Sequence, residues 1–151
     1  QVSTMHLTQF TDMGLRVLMY LTQHQRESLV TIAELAEQFR LSHNHLIKIV
    51  NQLVKLGWVE ATRGRNGGLR LGVPAAQLRL GTMIRVLEDE EQLIDCDKAA
   101  CVLNGSCRLQ GVLAQGLEQF YQYLNQYTLA DLVREPTQSV LVQMHRRWAV
   151  G

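Results

Sequence analysis

The chain has 151 residues, 46% of them hydrophobic, with a formal net charge of +1; this is enough for one cored domain with an appended element. No apolar run approaches a membrane span and no N-terminal targeting pattern appears, so a membrane protein is set aside and a cytoplasmic location is expected. The charge is uneven: residues 1–80 carry nine Lys/Arg against five Asp/Glu, and residues 81–151 carry six against nine, so the first half is the one suited to a polyanion.

Gln1 to Thr4, ahead of Met5, are set aside as a candidate addition. Leu7 to Gln25 reads as a helix, with Phe10, Leu15, Leu18, Met19 and Leu21 at helical spacing and Thr8 or Thr11 as its cap. Asp12 falls in the first turn, where a carboxylate suits the helix dipole. Thr31-Ile-Ala-Glu34 has the form of a capping box, in which the Thr31 hydroxyl accepts the Glu34 amide and the Glu34 side chain reaches back. Ile32, Leu35, Ala36 and Phe39 then mark one buried face. Arg40-Leu41 makes a tight turn, and Ser42 caps a second helix to about Leu56, buried through Leu46, Ile49, Val50 and Leu53. Gly57 stops it in the position of a left-handed cap.

A short helix, a tight turn and a longer helix with a polar outer face describe a helix-turn-helix. Trp58–Thr62 and Leu69–Val73 read as two strands around the loop Arg63-Gly-Arg65-Asn66-Gly-Gly68, a wing with two arginines at its tip. Ser42, His43, Asn44, His45 and Lys48 are the candidate major-groove residues, Arg63 and Arg65 the minor-groove ones, and Asn66 a further candidate DNA-binding residue. The glycine loop lacks the phosphate-loop lysine and runs into a strand, which excludes a nucleotide-binding reading.

Leu80 to Leu87 reads as a short helix. All three cysteines then lie within twelve residues, Cys96, Cys101 and Cys107, spaced C-x4-C-x5-C. Three thiolates on a short loop ahead of a helix can hold an iron–sulfur cluster. One disulfide with a spare thiol, a zinc site lacking the usual C-x2-C pair, and three unrelated thiols stay open as alternatives. Arg108 to Tyr127 is a long helix in which Leu113, Leu117, Phe120, Leu124 and Tyr127 form a two-heptad stripe, read as a dimer interface, with intramolecular packing as the alternative. Gly111 and Gly116 make sense there if another backbone approaches closely. Thr128 to Asp131 is a further capping box. The segment 136–151 is expected to be a mobile tail. The expected fold is mainly α: a winged helix-turn-helix with a two-stranded β wing over 5–80, and a cysteine loop with a long dimerisation helix over 81–135.

These residues together resemble the winged-helix iron–sulfur transcription regulators that include NsrR and IscR. The carriers are Leu7 to Arg16, Asn44 to Leu53, Arg63 to Leu71, the three cysteines, and Tyr127 to Leu132, within a match over about Met5 to Val133. The resemblance implies a homodimer binding a palindromic double-stranded operator, and a cluster of the 4Fe–4S or 2Fe–2S kind near the helix crossing. Within the family, the chain looks most like the nitric-oxide-responsive NsrR branch: IscR-type members place a histidine three residues after the third cysteine, where this chain has Gln110. That branch implies Asp12 as a cluster ligand from the partner subunit, beside Cys96, Cys101 and Cys107. His43 departs from the basic residue expected after Ser42. The implied function is a repressor released when nitric oxide nitrosylates or removes the cluster. The alternatives are a cluster-based sensor of iron–sulfur or redox status and a cluster-free thiol switch. No enzyme motif stands in a recognisable context.

Overall fold

Thr8 opens helix α1 (Gln9–Leu21): its hydroxyl accepts from the Thr11 amide at 3.3 Å, so the cap is Thr8. The computed structural model describes residues 6–24, 26–89, 93–94 and 100–151. Helix α2 (Ile32–Phe39) starts at Thr31, whose hydroxyl accepts the Glu34 amide at 3.2 Å. It stops at Arg40, which takes the left-handed conformation with φ 55°. Ser42 caps α3 (His43–Lys55) through the His45 amide at 3.2 Å. Leu46, Ile49, Val50 and Leu53 are buried as the periodicity predicts, and Gly57 leaves the helix at φ 79°.

Strands β1 (Val59–Thr62) and β2 (Gly68–Leu71) pair antiparallel, with Glu60 opposite Arg70 and Thr62 opposite Gly68. A two-way backbone bridge between Val30 and Leu69 (2.7 and 3.3 Å) pins the wing to the α1–α2 connection. The fold is mainly helical, a winged helix-turn-helix with a two-stranded antiparallel sheet, as expected. No helix among the described residues is long and apolar enough to cross a membrane.

Helix α4 (Leu80–Glu88) packs on α1 and α5 (Arg108–Leu124). A Cβ on Gly81 would sit 2.2 Å from the Tyr121 carbonyl oxygen, so only glycine allows this crossing. Arg85 closes it, paired with Glu118 at 2.6 Å and stacked over the Tyr121 ring at 4.2 Å. Helix α6 (Leu129–Leu132) begins with the predicted capping box, the Thr128 hydroxyl accepting from the Asp131 amide and an Asp131 carboxylate oxygen accepting from the Thr128 amide.

Two expectations fail. The Glu34 side chain does not reach back to complete a capping box. It is fully buried and turned inward, accepting from the Tyr20 hydroxyl at 2.5 Å and pairing with Arg26. The second failure is the tail: Thr137–Val150 is a helix, α7, docked on the core. Leu141 and His145 are buried. The His145 ring stacks on Tyr20 with centroids 3.9 Å apart, and its Nε2–H donates to the Tyr20 carbonyl at 2.9 Å. Gln38 adds a hydrogen bond from its amide nitrogen to the Met144 carbonyl at 2.8 Å. Burial lowers the His145 pKa, so the ring sits neutral against Tyr20; burial, then the Glu34 carboxylate, raises the Tyr20 phenol.

Candidate DNA-binding face and cysteine site

The first turns of α3 place Ser42, His43, Asn44 and Lys48 in solvent, with His45 half-buried. Arg63, Arg65 and Asn66 are exposed on the wing, where a turn closes through Gly67 N to Gly64 O at 3.0 Å and Asn66 takes φ 67°. Between residues 40 and 70 stand six Lys/Arg and one acidic residue, Glu60, and Glu60 is already paired with Arg70 at 2.9 Å. The cationic surplus is therefore uncompensated, as a phosphate-facing surface requires.

The cysteine site is described in part. Cys96 lies outside the described residues. Cys101 and Cys107 are half-buried and free of disulfide. Two tight turns separate them, Asn104 N to Cys101 O at 3.1 Å and Ser106 N to Leu103 O at 3.0 Å. Cys107 occupies the N-cap of α5 without making a side-chain cap hydrogen bond, which leaves its sulfur for other bonding. A cavity of about 530 Å³ opens beside it, lined by Leu93, Ile94, Cys107, Gln110 and Leu113 among others. Asp12 is half-exposed and bound to Arg16 at 2.9 Å, one helical turn on. Among the described residues no three His, Cys, Asp or Glu side chains gather as a metal site, so Asp12 does not join Cys101 and Cys107 within one chain. Two free thiols, one of them (Cys107) lining an open cavity, fit the donor set of a thiolate-held cluster.

The start of α1 carries a contact the sequence does not reveal. The Glu88 carboxylate at the end of α4 accepts from the Thr8 amide at 3.0 Å, from the Thr8 hydroxyl at 2.6 Å and from the Thr11 hydroxyl. The helix that carries Asp12 is thus tied to the residue leading into the cysteine loop. Only the side-chain hydroxyls near an acidic stretch hint at it, and such pairs are common by chance.

The predicted α5 stripe is split. Leu113, Leu117 and Leu124 are half-buried in their own chain, while Phe120 is 45% exposed. The apolar side chains left open are Leu109, Val112, Phe120, Tyr123 and Tyr127, again at heptad-like spacing but rotated around the helix. Cβ atoms built on Gly111 and Gly116 would meet nothing within 4 Å, so among the described residues no backbone of the same chain uses the room they leave.

The family model described as Rrf2, iron-dependent transcriptional regulator, matches residues 7–135. Solved structures share the fold. Oxidized CymR of Staphylococcus aureus aligns at a TM-score of 0.69 and 23% identity over 86% of this chain and 97% of that one. CymR of B. subtilis, described as a global cysteine regulator, aligns at 0.69 and 24% identity over 85% and 96%. IscR of T. potens aligns at 0.70 and 24% identity over 89% and 90%. With the family match covering the winged helix, the cysteine loop and α5, the chain belongs to the Rrf2 family of DNA-binding transcriptional regulators, which are not enzymes.

Proposed function

We propose that this protein is a cytoplasmic, homodimeric repressor whose cysteine loop carries an iron–sulfur cluster and reports nitric oxide to a palindromic operator. The observation that carries this reading is the cysteine site: free thiols at Cys101 and Cys107, and Gln110 where the IscR type places histidine. Cys96, Cys101 and Cys107 would hold the cluster, with the partner subunit's Asp12 as the oxygen ligand. When bound, the cluster supplies iron that is reactive toward nitric oxide, and a carboxylate is its most exchangeable ligand. The chain's own part is mechanical. Asp12 lies on α1, which packs against α3, and the thiols lie on the loop that feeds α5. Joining them across the dimer would hold the two α3 helices at operator spacing. Releasing them would broaden that spacing and lower affinity. In anaerobic titration of the dimer with nitric oxide, visible absorbance and operator binding should fall together. Cys101→Ala should prevent stable cluster assembly. Asp12→Ala should keep the fold and alter the response. DNA binding that persists after the absorbance is lost would refute the mechanism.

A second reading is a cluster-free thiol switch. It is favoured by the two free thiols and by the likeness to a CymR solved in an oxidized form. Colourless protein without iron or sulfide after anaerobic purification would select it.

A further inference from the structure

We infer that α7 adds a second phosphate-binding element, a groove beside the turn of the helix-turn-helix that takes the backbone of duplex DNA next to the half-site read by α3. This rests on the DNA-binding reading of α3 and the wing, and extends it to residues that neither the family match nor the sequence pattern assigns. The family match ends at residue 135, before α7 begins.

The anchoring of α7 sets its position. Leu141 and His145 are buried, His145 stacks on Tyr20, and Gln38 of α2 holds the Met144 carbonyl. The next residues along α7 therefore lie against the end of α2. There Arg147 and Trp148 line a groove of about 710 Å³ together with Glu37, Gln38 and Arg40. Arg40 is the left-handed residue of the turn, two positions before the Ser42 cap of α3, so one wall of the groove belongs to the turn of the helix-turn-helix. In helix-turn-helix docking the first helix crosses the sugar-phosphate backbone while the second enters the major groove. A cationic groove at the end of the first helix is in line with that strand.

Its charge fits the occupant. Arg40, Arg146 and Arg147 are exposed, and among the described residues none is paired with a carboxylate. Glu37 is the one acidic lining residue. Two unpaired guanidiniums in the lining, Arg40 and Arg147, against the one acidic side chain, with exposed Arg146 next along α7, leave a surplus suited to phosphate. Half-buried Trp148 forms part of the groove wall.

The test is a salt titration of binding by the cluster-loaded dimer, purified without oxygen, to a mixed-sequence duplex of about 40 base pairs, long enough to pass both grooves. Arg40→Asn keeps a residue that tolerates the left-handed conformation, and Arg147→Gln keeps α7 helical. The double variant should lower the slope of log affinity against log salt by about 0.9 for each phosphate it no longer neutralises and weaken binding about three- to tenfold at low salt. Glu37→Gln should tighten binding. Arg63→Ala with Arg65→Ala serves as the comparison. If the groove variant binds with unchanged slope and affinity while the wing variant loses both, the groove proposal is overturned and the DNA face stands. If both variants bind like the parent, the DNA face itself falls, and this proposal with it.

Discussion

Replacing Phe120 with alanine probes the role of α5. In the single chain the ring is 45% exposed, so nearly half of its burial is left for a partner. A phenylalanine carries roughly 200 Å² of surface, which leaves about 90 Å² per ring and about 180 Å² across a two-fold interface. At about 25 cal/mol per Å² this amounts to roughly 4–5 kcal/mol per dimer as an upper bound. Ordering of side chains and loss of free motion take back part of it, so the expected loss is about 2–4 kcal/mol, or roughly 30- to 1,000-fold in the dimer dissociation constant. Phe120 also touches the Tyr121 ring edge-on at 5.4 Å, so the chain itself should lose a little stability, and thermal unfolding at high protein concentration separates the two effects. Sedimentation velocity over a concentration series reads the association directly. Leu113→Ala is the contrast, because that half-buried side chain should act more through the fold of its own chain than through the dimer. A stable monomer in the intact protein, or a Phe120→Ala dimer as tight as the parent, would refute the assignment.

Glu34→Ala should cost about 3–5 kcal/mol in urea unfolding, because it strands the largely buried Arg26 guanidinium and the Tyr20 hydroxyl; a loss below about 1 kcal/mol would show the pair to be dispensable. His145, facing Tyr20, Glu34, Arg26 and His24, has its folded-state pKa depressed by burial. Its contribution is therefore present above the ordinary value of about 6.5 and lost as pH falls through the depressed folded value. The thermal midpoint should drop on acidification from about pH 7 to 5 more steeply than in His145→Phe, and equal pH profiles would contradict this. Arg65→Ala should weaken operator binding by roughly 1–3 kcal/mol and flatten its salt dependence; unchanged binding in the double Arg63/Arg65 variant would remove the wing from the interface.

Local rules carried most of the fold because they act over a few residues. Ser42 caps α3, the four apolar positions of α3 are buried, and Gly57 leaves it in the left-handed conformation, each readable from neighbours in sequence. What escaped depends on partners far along the chain. α7 has only Leu141 and His145 buried, while Val140 and Val150 face solvent, so its apolar residues do not mark one clean face. Glu34 satisfies the pattern of a capping box, yet Tyr20 and Arg26 offer its carboxylate a better-shielded partnership than a surface amide. The α5 stripe was seen, but its facing was not, because Gly81 lets α4 take up the side bearing Tyr121. At the cysteine site the residue types were legible. Their assembly was not, since among the described residues Asp12 does not gather with Cys101 and Cys107, and Cys96 lies outside them.

Helix α1 is the element through which an event at the cysteine loop would reach the DNA face. Its first turn is held by Glu88 from the end of α4. One turn further, Gly14 faces Leu87 and Ile49 of α3, which an added Cβ would meet at contact distance, 3.4 and 3.8 Å. Val17, Leu18 and Leu21 are then sealed in the core, and Tyr20 joins α1 to α2 through Glu34 and to α7 through His145. A helix of 13 residues is a rod of about 20 Å. Because interiors are close-packed, a displacement of its first turn would be felt at Ile49, on the buried side of the helix whose outer side carries Asn44 and Lys48. A sensor at the cysteine loop therefore has no need to touch the reading helix. It needs only to hold or release the start of α1.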